Sequence, residues 1–299
     1  MIKQWLLSIC LTSFSLTTVT AQSYTSVYYL DNNLTSTTQG NAFFIGKGIP
    51  DSGLFRVDYF YQADGKPLMS IHFTDSSLSN MTGFFRSFYE NGKKENEGWY
   101  KNNVENGVWF KWDSSGFKKD SSVYVNGKVT AKALYRYDET GKLATCIFED
   151  SLTKKEKYSF YKAGVITYEV EYAGTDDGIL KIYENDSVKT IAVSKKDRVE
   201  ASFPGGDQGY RSYLVKNLDS DLPVSLGVRD GTYKVIVSFI VNTDGSISNV
   251  VAETNFGFGM EAAAVKLIKN CPRWKPAMIS GYPVPCFRRQ PITFFYKNE

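Results

Sequence analysis

An aromatic residue followed three or four positions later by glycine recurs through the first part of the chain. Tyr61 with Gly65, Tyr89 with Gly92, Trp112 with Gly116, Tyr137 with Gly141 and Tyr161 with Gly164 space the glycines 27, 24, 25 and 23 residues apart. A period of this size means an array of one supersecondary unit. Each unit reads as a hairpin. Gly83 to Tyr89 leads into an Asn91-Gly92 turn, Glu97 to Tyr100 returns, and Gly107 to Trp112 opens the next. Gly accepts positive φ and Asn tolerates it, which suits a tight reversal between strands. A lone hairpin cannot bury its apolar face in water, so neighbours must stack into a continuous sheet or solenoid. Aromatics alternating with Lys, Arg, Asp and Asn fit strands with one packed face and one wet face.

Around this array the chain reads in order. Residues 23–57 are rich in Ser, Thr and Asn and predict one or two strands. Ile166 to Tyr172, Ile179 to Tyr183 and Val188 to Val193 predict strands that cap the array, and Lys195-Lys196-Asp197-Arg198 reads as a charged linker. The opening residues have a leader pattern: Lys3, an apolar run diluted by Ser and Thr from Trp5 to Leu16, and small residues before Gln22. That predicts a signal peptide over 1–21, too short and polar in its apolar part to span a bilayer. Cys10 lies inside the apolar run, with Ile9 where lipid attachment expects a small residue. The predicted domains are therefore 1–21, a β-rich repeat domain over 22–197, and a third unit over 198–299. A chain of 299 residues with 42% apolar side chains supports two cores.

Several chemistries find little support. The formal net charge of +3 comes without a concentrated basic face, against a nucleic-acid surface. The single histidine, His72, lies in an alternating strand and reads as a half-exposed sheet residue. Histidine-based nucleophilic catalysis has no other histidine to use, and no zinc spacing is present. Asp176-Asp177 and Asp219 with Asp221 read as solvated turn acids. The expectation is a protein that is not an enzyme and carries no metal or small-molecule cofactor. Cys146, Cys271 and Cys286 follow the leader. An odd count allows one bridge at most, with Cys271 read as a buried thiol in preference to a bridge to Cys286. The surplus of Tyr and Trp could stack on glycan rings or a partner's side chains, against the plainer reading of core and cross-strand packing.

The last third carries the most regular pattern. Tyr233 to Val241 and Ile247 to Ala252 flank an Asn242-Thr243-Asp244-Gly245 turn, a strong hairpin signal. Met260, Ala263, Ala264, Leu267, Ile268 and Cys271 then fall on one face of a 3.6-residue period, and Pro272 stops that helix. A turn near Ser280-Gly281 and an aromatic strand ending at Tyr296 complete the unit. Ahead of it, Asp207 is the expected cap of a short helix after Gly205-Gly206, with Tyr210, Tyr213, Leu214 and Leu218 facing inward. Gly205-Gly206 lacks the following Gly-Lys-Ser/Thr of a phosphate loop.

These residues carry two resemblances. Phe203-Pro204-Gly205-Gly206, the Val-x-Val-x-Phe-x-Val strand, Asp244-Gly245, the Ala-rich helix, Trp274-Lys275-Pro276, Gly281, Val284 and Pro291-x-x-Phe294 resemble, over about 199–296, the C-terminal domain of TonB-type proteins of Gram-negative bacteria. Leu222 to Asp230 departs from that pattern, which has a short charged helical turn there. The hairpin units over about 59–165 resemble the MORN-type repeat in its degenerate bacterial form. The fold class is then a mainly β hairpin-repeat array plus a small α+β domain ordered helix, hairpin, helix, hairpin.

What the first resemblance implies is partner capture. In that family an extended peptide from an outer-membrane transporter adds to an open strand edge, main-chain hydrogen bonds giving attraction and alternate side chains selectivity. The implied edge is the last strand, with Phe287, Arg289, Gln290, Thr293 and Phe295 as partner-binding residues. Pro291 removes one backbone donor there, which predicts a bulge or a blunted edge. The expected protein is an exported periplasmic or envelope-associated binding module, linked to TonB-dependent transport. Its partner is a protein or peptide, and a homodimer is possible. The alternatives are an envelope scaffold acting through the aromatic repeat face, or an energy transducer if the leader is retained as an anchor.

Overall fold

A computed structural model describes residues 23–185, 187–218 and 228–296; the leader expected over 1–21 and the segment 222–227 lie outside them. Fourteen strands form one antiparallel meander in sequence order. They are β1 (Ser26–Leu30), β2 (Phe44–Asp51), β3 (Leu54–Tyr61), β4 (Pro67–Phe73), β5 (Met81–Phe88), β6 (Lys94–Lys101) and β7 (Val104–Trp112), then β8 (Lys118–Val125), β9 (Lys128–Tyr137), β10 (Leu143–Asp150), β11 (Lys155–Lys162), β12 (Val165–Ala173), β13 (Asp177–Glu184) and β14 (Ser187–Ser194). The opening region is as regular as the rest: β1, β2 and the first half of β3 fall inside residues 23–57, where one or two strands are expected. The marker glycines all sit at turns on one rim with positive φ, between 70° and 90°. Polar residues build those turns. Asp138 Oδ1, for example, accepts from the amides of Thr140 and Lys142, both at 2.9 Å.

The sheet is held on its packed face by aromatics seated over glycines. Trp109 is buried between Phe85 and Tyr100, with ring centroids 5.5 and 5.1 Å away. Its indole N–H donates to the Trp99 carbonyl at 3.1 Å. The ring lies directly on Gly98, where a Cβ would overlap it. His72 is largely buried: Nδ1 meets the Phe84 carbonyl at 2.7 Å and Nε2 meets Asp51 at 3.2 Å. Both ring nitrogens are occupied within the sheet.

One buried carboxylate in the array serves two ion pairs. Glu169 of β12 receives Lys157 from β11 at 2.8 Å and Lys181 from β13 at 3.1 Å. Burial pushes its carboxyl up, but the hydrogen bonds and charges of the two lysines outweigh it and hold the group below the ordinary glutamate range. A depressed folded-state pKa contributes stability that is present at neutral pH and lost as pH falls through that pKa. Glu169→Gln is therefore expected to unfold at lower denaturant than the parent at pH 7. The difference should shrink as pH falls below about 4, where the unfolded carboxyl protonates first, and close only below the depressed pKa of the folded group. Urea midpoints at neutral and low pH check this, and a gap that does not shrink at low pH would contradict it.

The carboxyl-terminal region packs against the end of the array. A short 3-10 turn (Lys195–Asp197) leads into β15 (Arg198–Val199), so the residues read as a charged linker are ordered secondary structure. Then follow α1 (Gly206–Asn217), β16 (Gly231–Val241), β17 (Ile247–Ala252), α2 (Met260–Lys269), β18 (Ala277–Ile279), β19 (Tyr282–Val284) and β20 (Cys286–Tyr296). The two final hairpin arms part company. β18 and β19 join β15 in one small sheet, whereas β20 leaves to pair with β16, giving the order β17-β16-β20.

Helix α2 buries Met260, Ala264, Leu267 and Ile268, the stripe expected from its period. Cys271, just beyond it, is half-buried and accepts from the Trp274 indole N–H at 3.3 Å. Cys146, Cys271 and Cys286 are all free thiols. Asp207 does not cap α1. The cap position is Gly205, in a left-handed conformation, with no side-chain cap bond. Asp207 instead lies in the first turn, where its charge favours the positive end of the helix dipole. The inward residues are as expected, and Tyr213 donates to the Leu267 carbonyl at 2.9 Å, joining α1 to α2.

One core serves both regions. Val170, Tyr172, Leu180 and Val193 of the last array strands belong to the same buried cluster as Phe203, Val235, Phe239, Leu267, Trp274 and Phe294. Lys195 ties the join, bonded to Glu156 at 2.6 Å and set 4.7 Å over the Tyr172 ring.

Candidate partner-binding edge

Strand β20 pairs with β16 over eleven consecutive positions, from Gly231 opposite Tyr296 to Val241 opposite Cys286, with no shift of register. Among the described residues β20 has no strand partner on its other side. Which backbone groups face that open side follows from Ile236. Its carbonyl accepts from the Glu253 amide at 2.8 Å and its amide donates to Thr254 Oγ1 at 3.3 Å, so both point toward β17. Ile236 and the opposite Pro291 are thus a non-hydrogen-bonded pair. Pro291 turns its donor-less nitrogen away from β16.

The bulge expected at Pro291 is therefore absent. Proline causes one when the ladder needs its amide, and this ladder does not. The edge is blunted as expected, since one outward donor is missing. By alternation, the outward backbone groups of β20 belong to Phe287, Arg289, Pro291, Thr293 and Phe295.

The five expected partner-binding residues do not form one set. Phe287, Arg289, Thr293 and Phe295 share both the outward backbone direction and one face of the sheet. Gln290 has its backbone groups directed at Val237 of β16 and lies on the opposite face, with the helix-packed Ile292 and Phe294. The one-residue offset, the period of a strand, separates it.

The remaining four differ in surroundings. Phe287 lies against the array, with the Arg136 guanidinium 5.8 Å from its ring. Nearby, Ile240 packs with Ala144 and Phe160. Arg289 is engaged by Glu253, at 2.6 Å through Nη2 and 2.8 Å through Nε, and Glu253 also receives Arg136 at 3.6 Å. At the start of β20, Glu200 meets Arg288 at 3.4 Å and the Cys286 thiol at 3.7 Å. Burial pushes that thiol's pKa up, with Glu200 adding to the effect. The open stretch is thus Arg289 to Phe295, where Thr293 and Phe295 are exposed, Phe295 to 71%. Lys234, exposed opposite Thr293, shares this face and has no ion pair among the described residues. Glu253, Arg136 and Lys234 were not singled out from the sequence. No motif marks them, because they meet β20 only through strand pairing and the packing of the array.

Among the described residues no cluster of His, Cys, Asp and Glu could hold a metal ion, and no helix is long and apolar enough to cross a membrane.

Comparison with known proteins bears on the same region. Residues 230–295 match the family model described as Gram-negative bacterial TonB protein C-terminal, which spans β16 to β20. No curated protein matches the chain. Among solved structures, a crystal structure of a GtfA/B complex bound to UDP and GlcNAc matches with 13% identity over 63% of this chain and 29% of that one. This chain thus spans under a third of that chain's length, and the TM-score of 0.14 supports no argument from it.

Proposed function

We propose that the protein is an envelope binding module that captures an extended segment of a protein partner by strand addition to β20, in the setting of TonB-dependent transport. The observation that carries this is a fully registered eleven-residue strand whose second side, from Arg289 to Phe295, pairs with no strand among the described residues. An unpaired row of amides and carbonyls is a template for another strand. The match of residues 230–295 to a TonB C-terminal family supports both the protein partner and the Gram-negative envelope.

The edge constrains how a partner binds. Outward donors come from Thr293 and Phe295 on one side of Pro291 and from Arg289 on the other, so the added strand spans a position where its carbonyl receives nothing. Thr293→Pro removes a second outward donor without touching the ladder to β16. Net hydrogen bonds are worth about 0.5–1.5 kcal/mol, so the variant should bind an extended peptide roughly three- to tenfold more weakly. Its melting behaviour should stay close to the parent's. The measurement is titration of the full chain with a panel of extended peptides drawn from outer-membrane transporters, read by amide shifts along β20. No shift at Arg289, Thr293 or Phe295 with any peptide would sink the proposal. Pairing of the same edge with a second copy is distinguished by a concentration-dependent dimer that peptide does not dissolve.

A scaffold role has its own supporting observation. Trp99 is 54% exposed on the open face of the array, with Phe84 edge-on to it at 5.5 Å. Pull-down with Trp99→Ser alongside Thr293→Pro separates the two readings.

A further inference from the structure

Beside the array lies a cleft of 910 Å³ that the β20 proposal does not use. One wall is the marker rim of the array, where Tyr137 and Tyr161, equivalent residues of successive repeats, stand with Tyr168. The other wall is the β16–β17 turn, including Thr243, and β17 from Ile247 to Val251, including Asn249. We infer that this cleft is a binding site for an oligosaccharide, independent of the strand-edge reading.

Three features select that class. The volume lies within the range of small-molecule sites. Its walls combine aromatic rings with hydroxyl and amide groups, the pairing that suits a sugar ring's C–H face and its hydroxyl edge. Its acids, finally, are already occupied. Asp138 is held by the turn amides of Thr140 and Lys142, Asp244 pairs with Arg273 at 3.2 Å, and Glu139 reaches Lys269 across the cleft at 3.9 Å. A polyanion would find Lys162 as its main unpaired cation, and a lipid chain would meet too many polar groups. The Tyr168 hydroxyl and the Asn249 side-chain amide have no hydrogen-bond partner among the described residues, and both line the cleft.

The strand edge of β17 makes an extended peptide the competing occupant. Asn249 stands against it: with φ of 52° it breaks the pairing of β17 between Ser238 and Ile240, the kind of irregularity that discourages strand addition.

The test titrates the full chain with tri-N-acetylchitotriose, cellotriose and maltotriose, observed by saturation-transfer NMR and tyrosine fluorescence. At least one should bind with a Kd below about 1 mM. Tyr161→Leu keeps the apolar packing, and Asn249→Gly keeps the left-handed backbone. Each should weaken binding roughly tenfold, while Thr293→Pro leaves it unchanged. Absence of binding by all three sugars overturns the inference. So does binding that both cleft variants leave intact, or a saccharide displaced by a peptide that protects β17 amides.

Discussion

Leu180→Ala is expected to destabilise the carboxyl-terminal sheet as well as the array strand that carries it. Leu180 is fully buried in β13, yet the cluster it belongs to is filled mainly by β16, β20, α2 and Trp274. Truncating a buried leucine costs about 2–5 kcal/mol, from lost burial and the cavity left behind. Because the cavity opens between the two regions, that loss should appear in both. Hydrogen exchange followed by mass spectrometry reads it by segment: β13, β16 and β20 should lose protection together, with β3 and β4 as the internal reference. Unchanged protection in β16 and β20 would mean separate cores. The same reasoning predicts that residues 198–299 produced alone expose the surface that Val170, Tyr172, Leu180 and Val193 cover. Binding work therefore belongs with the full chain.

The second large effect is expected at Gly98. Any side chain there overlaps the Trp109 ring, whose position is fixed by Phe85, Tyr100 and its own hydrogen bond to Trp99. Overpacking typically costs about 1–3 kcal/mol, and removing the indole by Trp109→Ala about 3–5 kcal/mol. Gly98→Val combined with Trp109→Ala should cost less than the two single changes added together, since the valine then occupies room the indole has left. Urea midpoints of the four proteins form the cycle. Strict additivity would show that the glycine is not there to admit the ring.

Much of the fold is visible in local pattern. The period of the marker glycines gives the hairpin array, because a reversal needs positive φ and a strand pair needs a fixed length. The 3.6-residue stripe gives α2, and Asp244-Gly245 gives the β16–β17 hairpin. The expected edge strand was legible as a strand, and the match of residues 230–295 agrees with the family resemblance there; the comparisons do not extend the resemblance to the repeats. What misled was one residue of phase at Gln290, and the capping role given to Asp207. A residue's face within a strand depends on the register to its neighbour, and a cap depends on backbone conformation at Gly205.

Residue order alone decided which segments become strands, helices and turns, since those choices rest on side-chain periodicity and on the few residues that accept unusual backbone angles. Only the folded chain decided that β20 leaves its hairpin neighbours to pair with β16. The folded chain likewise turned the nitrogen of Pro291 to the open side. It set Glu253 between Arg136 and Arg289, and it merged the array and the final domain around one core. Each of these depends on contacts between residues far apart in sequence, where burial of apolar surface selects the pairing and no local signal records it.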